Sequence, residues 1–188
     1  LAALARGLEE RGRDARGVWQ RVVALNPRSA SNLTQAALAS EFEGETVEAE
    51  RLLLAAAQYN QLWLPRWSLA NFYYRQGRAA EFRQWARLAL ERAYGDRTAL
   101  FRLCREAGVD EGEMLDGLLG EDPANVAAYV AFLTAEGPAG AIPRAAERLL
   151  TLRGGAGTGA VLLGAIDALL ENGTIEAVPG IWTRMSAR

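Results

Sequence analysis

The chain has 188 residues, half of them hydrophobic, and a formal net charge of −2. This length and hydrophobic content allow a sizeable buried core and exclude a disordered chain. The small net charge gives no general attraction to nucleic acid.

Two chemically important side chains are scarce. Histidine is absent and cysteine occurs once, as Cys104. The chain therefore lacks the commonest general base and metal ligand, and it cannot form an internal disulfide or a cysteine zinc cluster. Acidic pairs such as Asp110-Glu111 have no partner set for carboxylate catalysis. We expect no enzyme activity, no cofactor and no metal, and we place Cys104 on a buried helix face.

Glycines end amphipathic runs at intervals of 29 to 36 residues. They are Gly12, Gly44, Gly77, Gly108, Gly137 and Gly173. Glycine suits the left-handed residue that ends a helix, and apolar residues between these glycines recur every three or four positions. The pattern predicts an all-α array of about six antiparallel helix–turn–helix units forming one domain over residues 1–188. The predicted units are 1–27, 28–61, 62–95, 96–121, 122–153 and 154–188.

The apolar faces are clearest in the second and third units. In ETVEAERLLLAAAQYN the predicted face holds Val47, Leu53, Leu54 and Ala57. In EFRQWARLALERA it holds Phe82, Trp85, Ala89 and Ala93. Prolines mark predicted helix ends or starts at Asn26-Pro27, Leu64-Pro65, Asp122-Pro123 and Gly137-Pro138.

This organisation resembles the tetratricopeptide repeat, a helical hairpin of about 34 residues. With Gly77 at the family's glycine position, the third unit matches at Leu69, Ala70, Tyr73, Ala89 and Leu90, although Phe82 stands where alanine is expected. The second unit matches at Ala37, Gly44, Ala49 and Ala56, with Ser40 in place of the tyrosine. The first matches at Leu4, Ala5, Gly12, Ala24 and Leu25. The match covers about residues 1–95, and the later units agree only in period and amphipathicity.

The resemblance implies a right-handed superhelix in which the first helix of each unit lines a concave groove. Small residues at the family's close-contact positions would let paired helices approach. On the Gly77 register, the residues implied to face the groove are Leu64, Trp67, Asn71, Tyr74 and Arg75. Helical geometry places Leu69, Phe72 and Tyr73 on a separate face, which we expect to be core.

The run RWSLANFYYRQG therefore carries the candidate binding residues. Tryptophan, tyrosine and arginine dominate binding hot spots, and Asn71 could bond a peptide backbone. Ten of the fifteen aromatic residues lie between Tyr59 and Phe101. The glutamate-rich segment 41–50 predicts an acidic surface, here called the acidic shoulder. It would lie beside the aromatic region, which is also rich in arginine. The alternative is that these aromatics are packing residues and that any partner binds elsewhere.

These features favour a non-catalytic scaffold that binds a protein or peptide in its concave groove. The alternatives are a structural spacer in a larger bacterial envelope protein or enzyme, and an RNA-binding helical repeat. The net charge and the lack of a repeated base-reading pair argue against RNA, so no nucleic-acid partner is expected. Similarity of LPRWSLANFYYRQG to bacterial repeat proteins with an upstream anchor or signal leaves periplasm and cytoplasm both open.

The two ends of the chain carry further expectations. The chain begins at Leu1, so we expect it to be a piece of a longer protein. No apolar run approaches the roughly 20 residues that span a bilayer, and we expect no membrane insertion of this segment. The last helix carries Ile181, Trp182 and Met185 on a face predicted to be exposed, which favours homo-oligomerisation or a further capping repeat. The glycine-rich run 153–164 lacks the lysine of a phosphate loop and is predicted to be an ordinary linker.

Overall fold

A computed structural model describes residues 1–12, 14–153 and 157–187. Within these ranges all regular secondary structure is helical, and no strand is present. The predicted all-α class is confirmed. No helix in the described ranges combines the length and the apolar character needed to cross a membrane.

The helices fall into two compact units. Leu1–Trp85 is here called the N-terminal unit and Ala86–Arg188 the C-terminal unit. The first contains α1 (Ala2–Glu9), α2 (Arg16–Leu25), α3 (Ala30–Phe42), α4 (Thr46–Tyr59), α5 (Trp63–Arg75) and most of α6 (Ala79–Leu90). The second contains α7 (Thr98–Glu106), α8 (Glu111–Glu113), α9 (Pro123–Glu136), α10 (Ile142–Thr151), α11 (Thr158–Glu171) and α12 (Val178–Ser186). A π-helical turn, Met114–Leu118, continues α8. Each predicted repeat interval thus holds two α-helices, whereas a single array over 1–188 stays a prediction.

Turn glycines separate the helices largely as predicted. Five of the six marked glycines have φ between +64° and +82°, a backbone conformation that side chains with a Cβ rarely adopt. The prediction for Gly137 is wrong, because its φ is −91° and its ψ is 172°. Pro138 follows it, and a residue before proline is restricted to extended conformations. Residues 154–156 of the predicted glycine-rich linker lie outside the described ranges. The prediction is wrong for residues 158–164, because they form the first part of helix α11.

Helix starts follow local side-chain chemistry. The Ser29 hydroxyl accepts a hydrogen bond from the Asn32 amide at 3.4 Å at the start of α3. The Asp122 carboxylate accepts one from the Ala124 amide at 2.9 Å, and Pro123 occupies the first position of α9. Such caps satisfy amides that have no partner within the helix. The Asp122-Pro123 pair therefore marks a helix start, as predicted.

Small residues allow close helix packing in the N-terminal unit. Ala37, Ala49, Ala56 and Ala70 are fully buried, so the helices can approach closely at these positions. Phe82 is also buried, and its ring lies 6.0 Å from that of Tyr74. The phenylalanine at an expected alanine position thus fills space beside α5.

We predict that Ala70→Leu lowers the free energy of unfolding by about 1–3 kcal/mol, because three extra carbon atoms overpack a fully buried position. Urea unfolding of the purified chain measures this change. Ala80→Leu, at an exposed position of α6, is the matched control and should stay within about 0.5 kcal/mol of wild type. Equal stability of the two variants would contradict the packing described at Ala70.

Several predicted apolar faces are displaced. In the first predicted repeat, residues 1–27, Leu4, Ala24 and Leu25 are exposed. The buried residues there are Ala5, Ala15, Trp19 and Val22. In α4, Leu53 and Ala57 are buried as predicted, whereas Val47 and Leu54 are exposed and Ala49, Leu52 and Ala56 complete the buried face. The last helix turns Ile181 into the core and leaves Trp182 exposed. Cys104 is buried, as predicted. These displacements show that helical period located the helices more reliably than their buried faces.

Helix packing joins near neighbours along the chain. In the N-terminal unit α1 packs on α2, α2 on α3, α3 on α4 and α4 on α5, and α3 also meets α5. In the C-terminal unit α9 packs on α7, α10 and α11, while α12 packs on both α10 and α11. Contacts between helices two apart bring alternate helices side by side, as stacked hairpins do.

Several ion pairs join residues that lie about one predicted repeat apart in the sequence. Arg75 reaches Glu41 and Arg102 reaches Glu136, and each pair is separated by 34 residues. Arg78 reaches Glu50 across 28 residues, Arg144 reaches Asp116 across 28, and Arg16 reaches Glu45 across 29. These separations lie close to one predicted repeat, so the pairs join corresponding parts of successive units.

Candidate functional site

Helix α5 has a buried face and an accessible face. Leu69, Phe72 and Tyr73 are at most 3% exposed, which confirms the predicted core face. On the other side Trp67, Asn71 and Tyr74 are half-buried, while Leu64 and Arg75 are exposed. The structure thus brings the five predicted groove residues to one side of the helix. Their role in binding stays a prediction.

Sequence reasoning missed Trp63, which extends this face. Its ring stacks on that of Trp67 with the centroids 5.5 Å apart and the planes 9° apart. Both side chains are half-buried, so part of each indole surface is accessible. We call Trp63, Leu64, Trp67, Asn71 and Tyr74 the α5 stripe. The spacing of four between the two tryptophans was the available sequence signal.

Asn71 is anchored within its own helix. Its side-chain nitrogen donates to the Trp67 carbonyl oxygen at 3.0 Å. This bond uses one of the two amide N–H groups and neither lone pair of the amide oxygen. The side chain is therefore oriented beside Trp67 with hydrogen-bonding capacity to spare.

Arg75 is already engaged within the protein. Its guanidinium forms a two-pronged ion pair with Glu41, with nitrogen–oxygen distances of 2.9 and 2.7 Å. The Gln76 side-chain nitrogen also approaches Glu41 at 3.4 Å. A partner's carboxylate would have to displace Glu41 to reach this fork. Arg75 consequently ties the end of α5 to α3.

The predicted acidic shoulder is also largely paired. Among its five glutamates, Glu41, Glu45, Glu48 and Glu50 each form an ion pair with an arginine. Three of these pairs join residues 28 to 34 positions apart, whereas the Glu48–Arg51 pair lies within α4. The pairing leaves a weaker surface field than the local charge count suggested.

A polar network supports the α5 stripe from behind. The Tyr73 hydroxyl donates to Glu50 at 2.8 Å, and Arg78 donates to the same carboxylate at 2.8 Å. The Arg78 guanidinium also lies 4.7 Å from the centroid of the Tyr73 ring. Burial, followed by the hydrogen bond to Glu50, raises the pKa of Tyr73 to about 12. The network ties the core face of α5, which carries Tyr73, to Glu50 on α4.

The Tyr73 pKa predicts loss of stability at high pH. The folded phenol ionises near 12, whereas an unfolded tyrosine ionises near 10. The contribution of the neutral phenol to stability is complete below about pH 10 and is lost as the pH rises through about 12. We expect urea unfolding at several pH values to show a shallower decline over that range for Tyr73→Phe than for wild type. Parallel curves would contradict the described environment of Tyr73.

A second apolar surface lies on α3 and was not predicted. A cleft of about 280 Å³ lies between the turn after α1 and one side of α3. Leu38 and Phe42 line it and are 42% and 88% exposed. They precede Asn71 and Arg75 by 33 residues, the separation of Gly44 from Gly77. Corresponding positions of two successive hairpins therefore both carry accessible surface.

No protein-family model matches the chain, and no curated protein matches it significantly.

Proposed function

We propose that this chain is an array of tetratricopeptide-like hairpins that acts as a non-catalytic scaffold for a protein or peptide partner. The stacked, half-buried Trp63–Trp67 pair on the α5 face opposite the core carries the proposal. Aromatic side chains held on a rigid helix offer a large contact area at a small cost in conformational entropy.

The repeat arrangement rests on helix pairing and spacing. Two helices per predicted interval, packing between alternate helices and ion pairs 28 to 34 residues apart support stacked hairpins. In such arrays the first helix of each hairpin lines the concave side. The α5 stripe and the Leu38–Phe42 surface would then belong to one groove.

The preorganised polar groups fit recognition of an extended segment. Asn71 is oriented by its bond to Trp67 and keeps a spare donor and acceptor for a partner's backbone. Leu64 adds an exposed apolar side chain at one end of the stripe. Arg75 serves in this proposal to hold α3 and α5 together rather than to bind the partner directly.

The proposal is tested by affinity capture from an extract of the source organism. We expect wild type to retain a partner. The triple variant Trp67→Ala/Asn71→Ala/Tyr74→Ala should retain at least about tenfold less of it, because hot-spot contacts are removed. The matched control is Leu25→Ala/Val47→Ala, which truncates exposed apolar residues on α2 and α4. Circular dichroism checks that all variants are folded.

The capture also separates a scaffold from a spacer. A spacer would retain the same proteins, or none, with and without the α5 stripe. That result would overturn the groove-binding proposal and assign the aromatic run to packing. Loss with the control variant alone would place the partner on the opposite face.

We propose separately that the chain self-associates through its last predicted repeat, residues 154–188. Leu170, Ile175 and Trp182 are 51%, 56% and 52% exposed on the helices of that repeat. Analytical ultracentrifugation of wild type and Trp182→Ala tests it: a dimer that the variant weakens supports it, and a monomer at all concentrations contradicts it.

A further inference from the structure

The C-terminal unit contains a small cavity lined by side chains of unlike character. It has a volume of about 120 Å³ and lies among α7, α8, α9 and the turn that follows α9. For comparison, an apolar cavity of about 150 Å³ can hold benzene. The cavity is therefore large enough for an aliphatic group of about five non-hydrogen atoms.

One polar atom in this cavity lacks a partner. Glu111 lines the cavity, and its Oε1 atom is buried without a hydrogen-bond partner in the described structure. A buried carboxylate oxygen without a donor is costly, so it favours a group that brings a donor or a positive charge. Burial raises the pKa of the Glu111 carboxyl, in keeping with this missing partner.

Other walls of the cavity are aromatic. Phe101, Tyr129 and Phe132 line the cavity, and their ring centroids are 5.3 to 6.1 Å apart. Aromatic faces attract cations as well as apolar groups. An unpaired carboxylate oxygen beside aromatic walls thus suits a ligand with a cationic head and a short apolar chain.

The nearby basic groups are directed elsewhere. Arg105 also lines the cavity, but it donates to the Glu136 carbonyl oxygen at 2.9 Å and lies over the Phe132 ring, 5.2 Å from its centroid. Arg144, whose charge acts on Glu111, donates to Asp116 at 2.9 Å. Neither arginine forms a hydrogen bond with the buried Glu111 oxygen.

The backbone beside the cavity is irregular as well. Met114 lines the cavity and begins the π-helical turn Met114–Leu118. Such turns are rare, and they occur frequently at functional sites. This independent feature sits at the same place as the unpaired carboxylate oxygen and the aromatic walls.

We propose that this cavity binds an unbranched alkylammonium group, with Glu111 as its counter-ion and Tyr129 and Phe132 as its walls. A free small amine and the end of a partner's lysine side chain share this chemistry. The chain itself contains no lysine, so the group must come from another molecule. The proposal does not depend on the α5 stripe.

The test uses n-butylammonium chloride, with n-butanol as its uncharged counterpart and sodium chloride to match the salt. Methyl-labelled methionine gives the full chain two NMR signals, because Met114 and Met185 are its two methionines. We expect butylammonium at millimolar concentration to shift the Met114 signal saturably, whereas butanol leaves it unchanged. Met185 lies on α12 and reports nonspecific effects.

Glu111→Gln should weaken this response at least about tenfold, since it removes the counter-ion. Glu111→Gln should not unfold the chain, because it removes an unpaired buried charge. The control variant Glu121→Gln changes an exposed carboxylate and should bind butylammonium as wild type does. Equal responses to butylammonium and butanol, or full binding by Glu111→Gln, would overturn the proposal and leave only a packing gap. If Glu111→Gln does not fold, Ala141→Leu, which should fill the cavity, must abolish the response.

A lysine derivative with both backbone ends blocked distinguishes the two sources. A Met114 shift with this derivative assigns the site to a partner's side chain. A shift with butylammonium alone assigns it to a free amine. Either result supports an ammonium site, and a failure of both leaves the proposed scaffold function of the α5 stripe unaffected.

Discussion

Trp19→Ala should lower the free energy of unfolding by about 3–5 kcal/mol, which is the cost of truncating a large buried aromatic residue. Trp19 lies on α2 and is 1% exposed, and it is among the largest fully buried side chains of the described structure. Removing the indole leaves a cavity in the core of the N-terminal unit. Urea unfolding followed by circular dichroism measures the change.

Trp182→Ala is the matched control for this substitution. Trp182 is 52% exposed on α12, so its truncation should cost less than about 1 kcal/mol. If the two variants lost equal stability, or if Trp182→Ala lost more, the assignment of Trp19 to the core of the first hairpin would be wrong.

Asn125→Ala should cost about 2–4 kcal/mol because it removes three hydrogen bonds made by one buried side chain. Asn125 is 2% exposed, and its amide nitrogen donates to the Leu90 carbonyl oxygen at 3.2 Å. Its amide oxygen accepts a charge-assisted bond from Arg97 at 2.8 Å. One side chain thus ties α9 to the end of α6 and to the start of α7.

The control for Asn125 is Asn172→Ala. Asn172 is exposed after α11, and its amide donates one bond, to the Ala168 carbonyl oxygen at 2.8 Å. We expect this variant to lose less than about 1 kcal/mol, because water can replace the lost partner. Similar losses for both asparagines would show that the buried Asn125 bonds contribute little, contrary to the structure.

The helical class and the helix limits could be predicted because they depend on local rules. Glycine in a left-handed turn and the capping pair Asp122-Pro123 act over a few residues, and both are found where the sequence placed them. Gly137 shows the limit of the glycine rule. The proline that follows it restricts its backbone and overrides the usual preference for a left-handed turn.

The buried faces were harder to predict because burial depends on neighbouring helices. Leu4 and Leu25 match the family's pattern in sequence, yet they are 56% and 75% exposed. Trp19, which lies between them in the sequence, is buried instead. In α4 the run of three leucines and three alanines fits more than one helix face, so hydrophobic period alone could not show that Val47 is exposed.

The candidate site was predicted as a surface but not in its contacts. The separation of Leu69, Phe72 and Tyr73 from the α5 stripe follows from helix geometry alone. The engagement of Arg75 by Glu41 depends on a residue 34 positions away, and the unpaired Glu111 oxygen depends on packing among three helices. Neither arrangement is visible in a local stretch of sequence.

Site-specific photo-crosslinking in the source organism tests whether the α5 stripe faces a partner. A benzoylphenylalanine at Leu64 probes the stripe, and one at Val47, which is 83% exposed on α4, probes the other helix of the preceding hairpin. We expect a discrete crosslinked protein from position 64 that position 47 does not give and that Trp67→Ala weakens. A crosslink from position 47 alone, or none from position 64, would contradict the groove-binding proposal.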